Sequence, residues 1–495
     1  MRLARSRSFL MVVAVRLLAW DPIPARADWL YFARGGAAEL PAAIRGDDVA
    51  VAAPGGERRF PRASFRAIVP AVPLDAEWRE RQARARDDGM ARAGLEAAWW
   101  ALERGLTPEA IAALRDAATA PDAPGVAPLA RAGRMLARLD ASGAGRPDLD
   151  RLRASLGPGW TEARGRHVVL LHQATPAEAD ERLDVLDRVV ATFCLSLAIQ
   201  GVEVDAPARP LVSVYFARRA DYVAYLRRVD AAAFADAQGF YHPTSRVVFA
   251  CDTRSDPAQA EPRRLLARDR RDPARSPAEA HDLDRRELLL DLDWRGVDLG
   301  IAAHETVHQC VAATGLAPRY DDFPHWLHEG FAAQFEVVRG GRWAGFGRTN
   351  DRRVADWRAI RPAPRLGPLL RDDGLTGGYR RDRYAEAWAL VYFLRKARPA
   401  EFAAFLDRLR APRPAGRDQD SAAAFVAAFG ADLPRIERDW RAFLRDQATP
   451  LEAHDDGPAA EKSRPAAKSS LPRPDPGRIL DPPGQAEPPA PAAAL

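Results

Sequence analysis

His304 and His308 stand four positions apart in the apolar run IAAHETVHQCVAATGL, residues 301–316, with Glu305 between them. On an α-helix, residues i and i+4 project from nearly the same face, so the two imidazoles converge on one ion. The reading therefore requires this run to be helical. Glu305 lies about 100° further round such a helix, close enough to reach a water at the ion without ligating it. There it is the candidate general base. The competing reading is an ordinary amphipathic helix whose polar residues face solvent.

A catalytic zinc takes three protein ligands and keeps a fourth position open. The stretch FPHWLHEGFAAQFE, residues 323–336, supplies Glu329 within a second amphipathic helix, twenty-one positions beyond His308. His304, His308 and Glu329 are thus the expected ligands of Zn2+. Four of the nine histidines fall between 304 and 328, which keeps His325 and His328 as alternatives to Glu329. Neighbours on a helix point about 100° apart, so Glu329 and His328 do not face the same ion. A closed structural site, usually built with cysteine, is not expected, because the nearby Cys310 is turned away from the histidine face. Glu336, two turns beyond Glu329, is placed to orient a ligand histidine through its free ring N–H; a surface carboxylate is the alternative.

These residues resemble the gluzincin metallopeptidases, in which H-E-x-x-H is followed by a ligand glutamate. In the aminopeptidase N-like branch that glutamate sits in W-L-x-E-G-x-A, matched here by Trp326-Leu327-His328-Glu329-Gly330-Phe331-Ala332. The specific motifs occupy residues 304–336 and, more weakly, 384–394. The whole chain is also similar to uncharacterised exported bacterial proteins that carry a peptidase-like domain of unknown function. The resemblance implies a zincin-like α+β domain with hydrolase activity: zinc polarises the scissile carbonyl, and Glu305 takes a proton from the attacking water and passes it to the leaving amine. Gluzincins often support the oxyanion with a later tyrosine or histidine, which points to Tyr384, with Tyr379 and His325 in reserve. Half-buried packing is the alternative role for Tyr384. The G-x-M-E-N segment that anchors a free amino terminus in aminopeptidase N-like enzymes is missing, since the only methionines are Met1, Met11, Met90 and Met135. Endopeptidase action on a peptide or protein substrate follows as the expectation. Its rival is a catalytically inactive envelope scaffold or binding protein, because fold does not guarantee activity.

At 495 residues the chain is too long for one compact core. Residues 1–27 read as an export signal, with a basic start, an apolar stretch from Phe9 to Trp20, and Ala25-Arg26-Ala27 as the cleavage site. That stretch is too short for a stable membrane anchor, so a periplasmic or extracellular protein is expected. The net charge of +5 is small, with arginines interleaved among acids, and gives no support for a nucleic-acid partner. Cys194, Cys251 and Cys310 form no evident disulfide framework; they are buried small side chains, or two of them pair after export.

The fold class expected is α+β: a domain of a small mixed sheet and a mainly helical C-terminal part, preceded by a small β-rich module and a helical region. Residues 28–73 hold the β-prone runs DWLYFA, VAVAA and FRAIV between turn signals. Residues 74–158 are helical, with one long run from Trp78 to Leu102, Thr107-Pro108 as an N-cap with proline at N1, and a repeat of the pattern from Val126 to Leu139. Residues 159–446 form the peptidase-like domain. In it HVVLLHQ and LVSVYFA flank a helix from Ala177 to Gln200, and SRVVFACD follows the turn YHPTS. SRVVFACD is either the edge strand to which an extended peptide adds or an interior strand. The charged residues 253–290 read as a solvated insertion, the chain from Ile301 to the mid-440s as mostly helical, and residues 447–495, rich in Pro and Ala, as a disordered tail.

Overall fold

The computed structural model describes residues 27–142, 149–319, 322–371, 381–411 and 420–449. The export signal and the C-terminal tail therefore lie outside the described residues, except for Ala27 and Gln447–Thr449. Five antiparallel strands open the chain: β1 (Ala27–Phe32), β2 (Ala37–Arg45), β3 (Asp48–Ala53), β4 (Gly56–Pro61) and β5 (Phe65–Pro70), in the order β4-β3-β2-β1-β5. Their alternation turns Leu30, Phe32, Leu40, Val49, Val51 and Phe60 onto one small core. Leu288, more than two hundred residues further on, completes that core.

The helical region holds α1 (Leu74–Asp88), α2 (Ala91–Leu102), α3 (Thr107–Ala117), α4 (Ala127–Ser142) and α5 (Asp150–Leu156). The single run expected from Trp78 to Leu102 is broken at Gly89, whose φ of 67° caps α1 in the left-handed region. Thr107 is the first residue of α3 and not its cap, because Leu106 takes that position and the Thr107 hydroxyl meets Thr192 at 2.8 Å. Trp100, Leu114 and Leu136 share one continuous apolar core with the C-terminal helices.

The second sheet contains β6 (Thr161–Arg164), β7 (Val168–His172), β8 (Leu211–Phe216), β9 (Gly239–His242) and β10 (Val247–Cys251), ordered β6-β7-β8-β10-β9. β7, β8 and β10 run parallel, with β6 and β9 antiparallel at the edges. SRVVFACD is β10 and is interior. The edge is β9, which includes Tyr241 and His242 of the run expected to be a turn. Between these strands lie α6 (Pro176–Gln200), which starts with a Thr175/Glu178 capping box, and α7 (Arg219–Arg228).

The stretch expected to be a solvated insertion is instead α8 (Pro257–Asp269) and the first half of α9 (Pro277–Ala313). Ser276 and Glu279 form a capping box that starts this 37-residue helix well before the histidines. The charges that suggested solvation are used between elements: Glu287 meets Arg58 of β4 at 3.3 Å, and Arg263 of α8 reaches Asp291 of α9 at 2.6 Å. A buried ion pair, Arg182 with Asp298, fixes α9 to α6, and the Tyr215 hydroxyl donates to Asp298 at 3.3 Å.

Beyond α9 come α10 (His325–Ala332), a hairpin of β11 (Val338–Arg339) and β12 (Arg342–Trp343), and then α11 (Asp351–Ala359), α12 (Leu366–Leu370), α13 (Arg381–Ala397), α14 (Pro399–Arg410), α15 (Ser421–Phe429) and α16 (Leu433–Arg445). The fold is thus α+β, with a mainly helical C-terminal part. Cys194, Cys251 and Cys310 are all buried and free, and burial pushes the Cys194 thiol up to about 12 and the Cys251 thiol up to about 11. None of the described helices is long and apolar enough to cross a membrane.

Candidate metal centre

The second half of α9 lies between the mixed sheet and α10. Gln309, next to His308, donates its amide to the carbonyls of Val212 at 3.0 Å and Arg246 at 2.7 Å, tying the helix to the sheet. Gly239 lets β9 lie against the helix: a Cβ there would sit 2.7 Å from the Ile301 side chain. On the other side, Gly330 brings α10 against α13, since a Cβ would lie 2.4 Å from the Ala387 carbonyl oxygen. Gln334 reinforces that contact, donating to the carbonyls of Gly330 at 2.8 Å and Trp388 at 3.1 Å. The close approach swings Glu329 over the histidine pair.

His304, His308 and Glu329 are brought together and buried, and their donor atoms all lie within 4.8 Å of one another. His304 Nε2 is 3.2 Å from Glu329 Oε2 and 3.1 Å from His308 Nε2, and His308 Nε2 is 3.7 Å from Glu329 Oε2. A tetrahedral ion with bonds of about 2.1 Å holds its donors about 3.4 Å apart, so these separations fit one. The chemistry agrees with the geometry. His304 donates its Nδ1–H to Glu336 Oε1 at 2.9 Å, which leaves its Nε2 as a lone pair aimed at two other lone-pair atoms. Such a set repels itself unless a proton or a cation lies among its members. This group could hold a metal ion.

Glu336 is not a surface carboxylate. Besides His304 it accepts from Arg353 Nη2 at 2.7 Å, Arg353 Nε at 3.0 Å and Asn350 Nδ2 at 3.2 Å. Burial opposes its ionisation, but Arg353 and His304 outweigh that and hold the carboxyl at about 2. Burial likewise works against the charge on Glu329, and His308 and His304 overcome it, keeping that carboxyl well below its usual range. In the metal-free protein, burial lowers and the Glu329 and Glu336 carboxylates raise the His304 pKa, which ends at about 10.

Glu305 reaches the edge strand, where its Oε2 accepts the Tyr241 backbone N–H at 2.8 Å. Burial raises its pKa, against the pull of His304 and His308. It opens into a cleft of about 1540 Å³ that is also lined by His304, Glu329, His325 and Tyr384. Tyr384 is half-buried there, with the Arg353 guanidinium 5.5 Å from its ring centre. Tyr379 lies outside the described residues. His325 lines the cleft without joining the donor cluster. His328 faces elsewhere, packing on Phe323 and His308 and lining a separate pocket of about 260 Å³. Neither histidine takes the place of Glu329.

Residues 298–415 match the family model "Protein of unknown function (DUF1570)". That is about a quarter of the chain. The matched span holds the three donors, Glu305, Glu336, Arg353 and Tyr384, and the family's description states no activity. No curated protein matches the chain.

Arg353, Asn350, Gln309 and the Tyr241 N–H escaped the sequence reading. Two are single residues in α11 and at its cap, far along the chain. Gln309 lies in α9 itself, where its sequence does not show the carbonyls it meets, and the fourth is a main-chain group on a four-residue strand too short for alternation to show.

Proposed function

We propose that the protein is a zinc-dependent endopeptidase acting outside the cytoplasm. The observation that supports this best is the pairing of a three-donor set, spaced for a tetrahedral ion, with a carboxylate held beside it at the wall of a large cleft. Two imidazoles and one carboxylate suit zinc, and three protein donors leave a position open. A cleft of about 1540 Å³ exceeds the 300–1,000 Å³ typical of small-molecule pockets and suits a polypeptide.

Bound zinc would supply carbonyl polarisation and a water acidic enough to lose its proton near neutral pH. Glu305, fixed by the Tyr241 N–H and raised by burial, would be the base that takes a proton from the attacking water and passes it to the leaving amine. Tyr384 donates a hydrogen bond as charge builds on the carbonyl oxygen, with His325 as the second donor lining the same cleft. Glu336 keeps the His304 proton on Nδ1, so that Nε2 stays a donor atom.

The test is the metal content of the purified chain by elemental mass spectrometry, alongside peptide hydrolysis. About one zinc per chain is expected. Glu329→Ala should abolish it, and Glu305→Ala should keep it while hydrolysis falls by about 10²–10⁴-fold. A chain that retains no zinc after incubation with the metal would overturn the reading.

A further inference from the structure

The N-terminal sheet forms one wall of the cleft that contains His304, Glu305 and Glu329, through Trp29, Ala37, Ala38 and Glu39. Trp29 and Glu39 are register partners across β1 and β2, so their side chains stand next to each other on the face opposite the module's core. The lining also includes the segment before β9, with Phe234 and Asp236.

The charges on this lining do not balance. Each of its arginines has a carboxylate partner: Arg339 pairs with Asp351, Arg352 with Asp293, and Arg353 with Glu336. Outside the metal set and Glu305, the remaining acids are Glu39 and Asp236, and neither has an ion pair or side-chain hydrogen bond among the described residues. The Oε2 of Glu39 is buried without a hydrogen-bond partner. Arg339 lies 5.5 Å from the Trp29 ring centre but is pinned by two contacts to Asp351 and a bond to the Thr349 carbonyl, so it is not free to neutralise Glu39. Arg348 is near enough to feel the charge of Glu39 and makes no ion pair with it. Asp236 is exposed, and with neither carboxylate neutralised by an ion pair a cationic ligand in the cleft meets uncompensated negative charge.

We propose that the N-terminal sheet is part of the substrate site and that Glu39, with Asp236, selects peptides carrying a cationic side chain. This rests on the peptidase reading for the word substrate, but the recognition itself does not need the metal. A guanidinium offers several donors in one plane to the carboxylate, and Phe234, 42% exposed, suits its flat face and alkyl stem.

The experiment measures binding of fluorescein-labelled Ala-Ala-Arg-Ala-Arg-Ala and its citrulline counterpart, which keeps the shape and removes the charge. The full chain carries Glu305→Gln to suppress cleavage, and anisotropy is read with and without chelator while zinc content is measured on the same samples. The arginine peptide should bind about tenfold more tightly, the ratio should shrink with added salt, and Glu39→Gln with Asp236→Asn should bring it near one. Equal binding of the two peptides, no binding of either, or a ratio unchanged in the double variant would overturn the proposal. A charge preference in a chain that holds no zinc would sink the peptidase reading alone. Zinc bound without a charge preference would sink this inference alone.

Discussion

Replacing Glu336 with alanine tests whether the carboxylate behind His304 governs the metal set. In the structure it accepts four hydrogen bonds, from His304 Nδ1 at 2.9 Å, Arg353 at 2.7 and 3.0 Å, and Asn350 at 3.2 Å. Glu336→Ala frees the His304 ring to take the wrong tautomer, and loss of such an outer partner lowers metal affinity about 10–100-fold. That corresponds to about 1.4–2.7 kcal/mol. The same change removes the Glu336 carboxylate from the side of Arg353, which is 7% exposed. Breaking a buried pair on one side costs about 3–5 kcal/mol, so the metal-free variant should lose stability on that scale. Adding Arg353→Met removes the other half of that pair and should restore much of the stability but none of the affinity. Zinc titration against a chromogenic chelator reads the first quantity, and urea unfolding of the metal-free protein reads the second. A folded Glu336→Ala chain that binds zinc within about threefold of the parent would refute the argument.

Two further outcomes follow from packing and burial. In Gly330→Ala the new methyl meets main chain of α13 at 2.4 Å, and overpacking of this kind costs about 1–3 kcal/mol; because the shift displaces Glu329, zinc affinity should fall with the melting temperature, and an unchanged affinity would contradict the placement of α10. Burial pushes the His167 pKa down to about 4, with Arg166 adding to the effect. The unfolded chain therefore takes up that proton first: stability is full above about pH 6.5 and declines by up to roughly 3 kcal/mol as the pH drops toward 4. His167→Phe should flatten that part of the denaturation profile, and a slope equal to the parent's would show that other groups set it.

Local pattern was enough wherever a period or a spacing carries the information. The histidine spacing, the helix expected from Ala177 to Gln200 and the apolar strands β7, β8 and β10 are all legible in the sequence, because each is dictated by residues within a few turns of one another. The candidate donors His304, His308 and Glu329, and Glu305 beside them, could be named for the same reason. Where a charge is spent could not be read. Residues 253–290 look solvated in sequence because nothing local says that Arg58 will meet Glu287 from more than two hundred residues away. Short β9 was hidden in the same way, since its strand character comes from pairing with β10 and not from its own four residues.

By itself, then, the sequence determined the chemistry on offer: two imidazoles and a carboxylate at spacings that helices turn to one side, with a second carboxylate next to them. Tertiary structure alone decided how that chemistry is held. It chose Glu329 over His325 and His328 through the close approach of α10 to α13 at Gly330, set the Glu336–Arg353 pair behind His304, and bound Glu305 to an edge-strand amide. It also made the N-terminal sheet a wall of the cleft. The physical reason is that ligand distance and charge compensation are properties of groups in space, and here most of those groups are supplied by elements far apart along the chain.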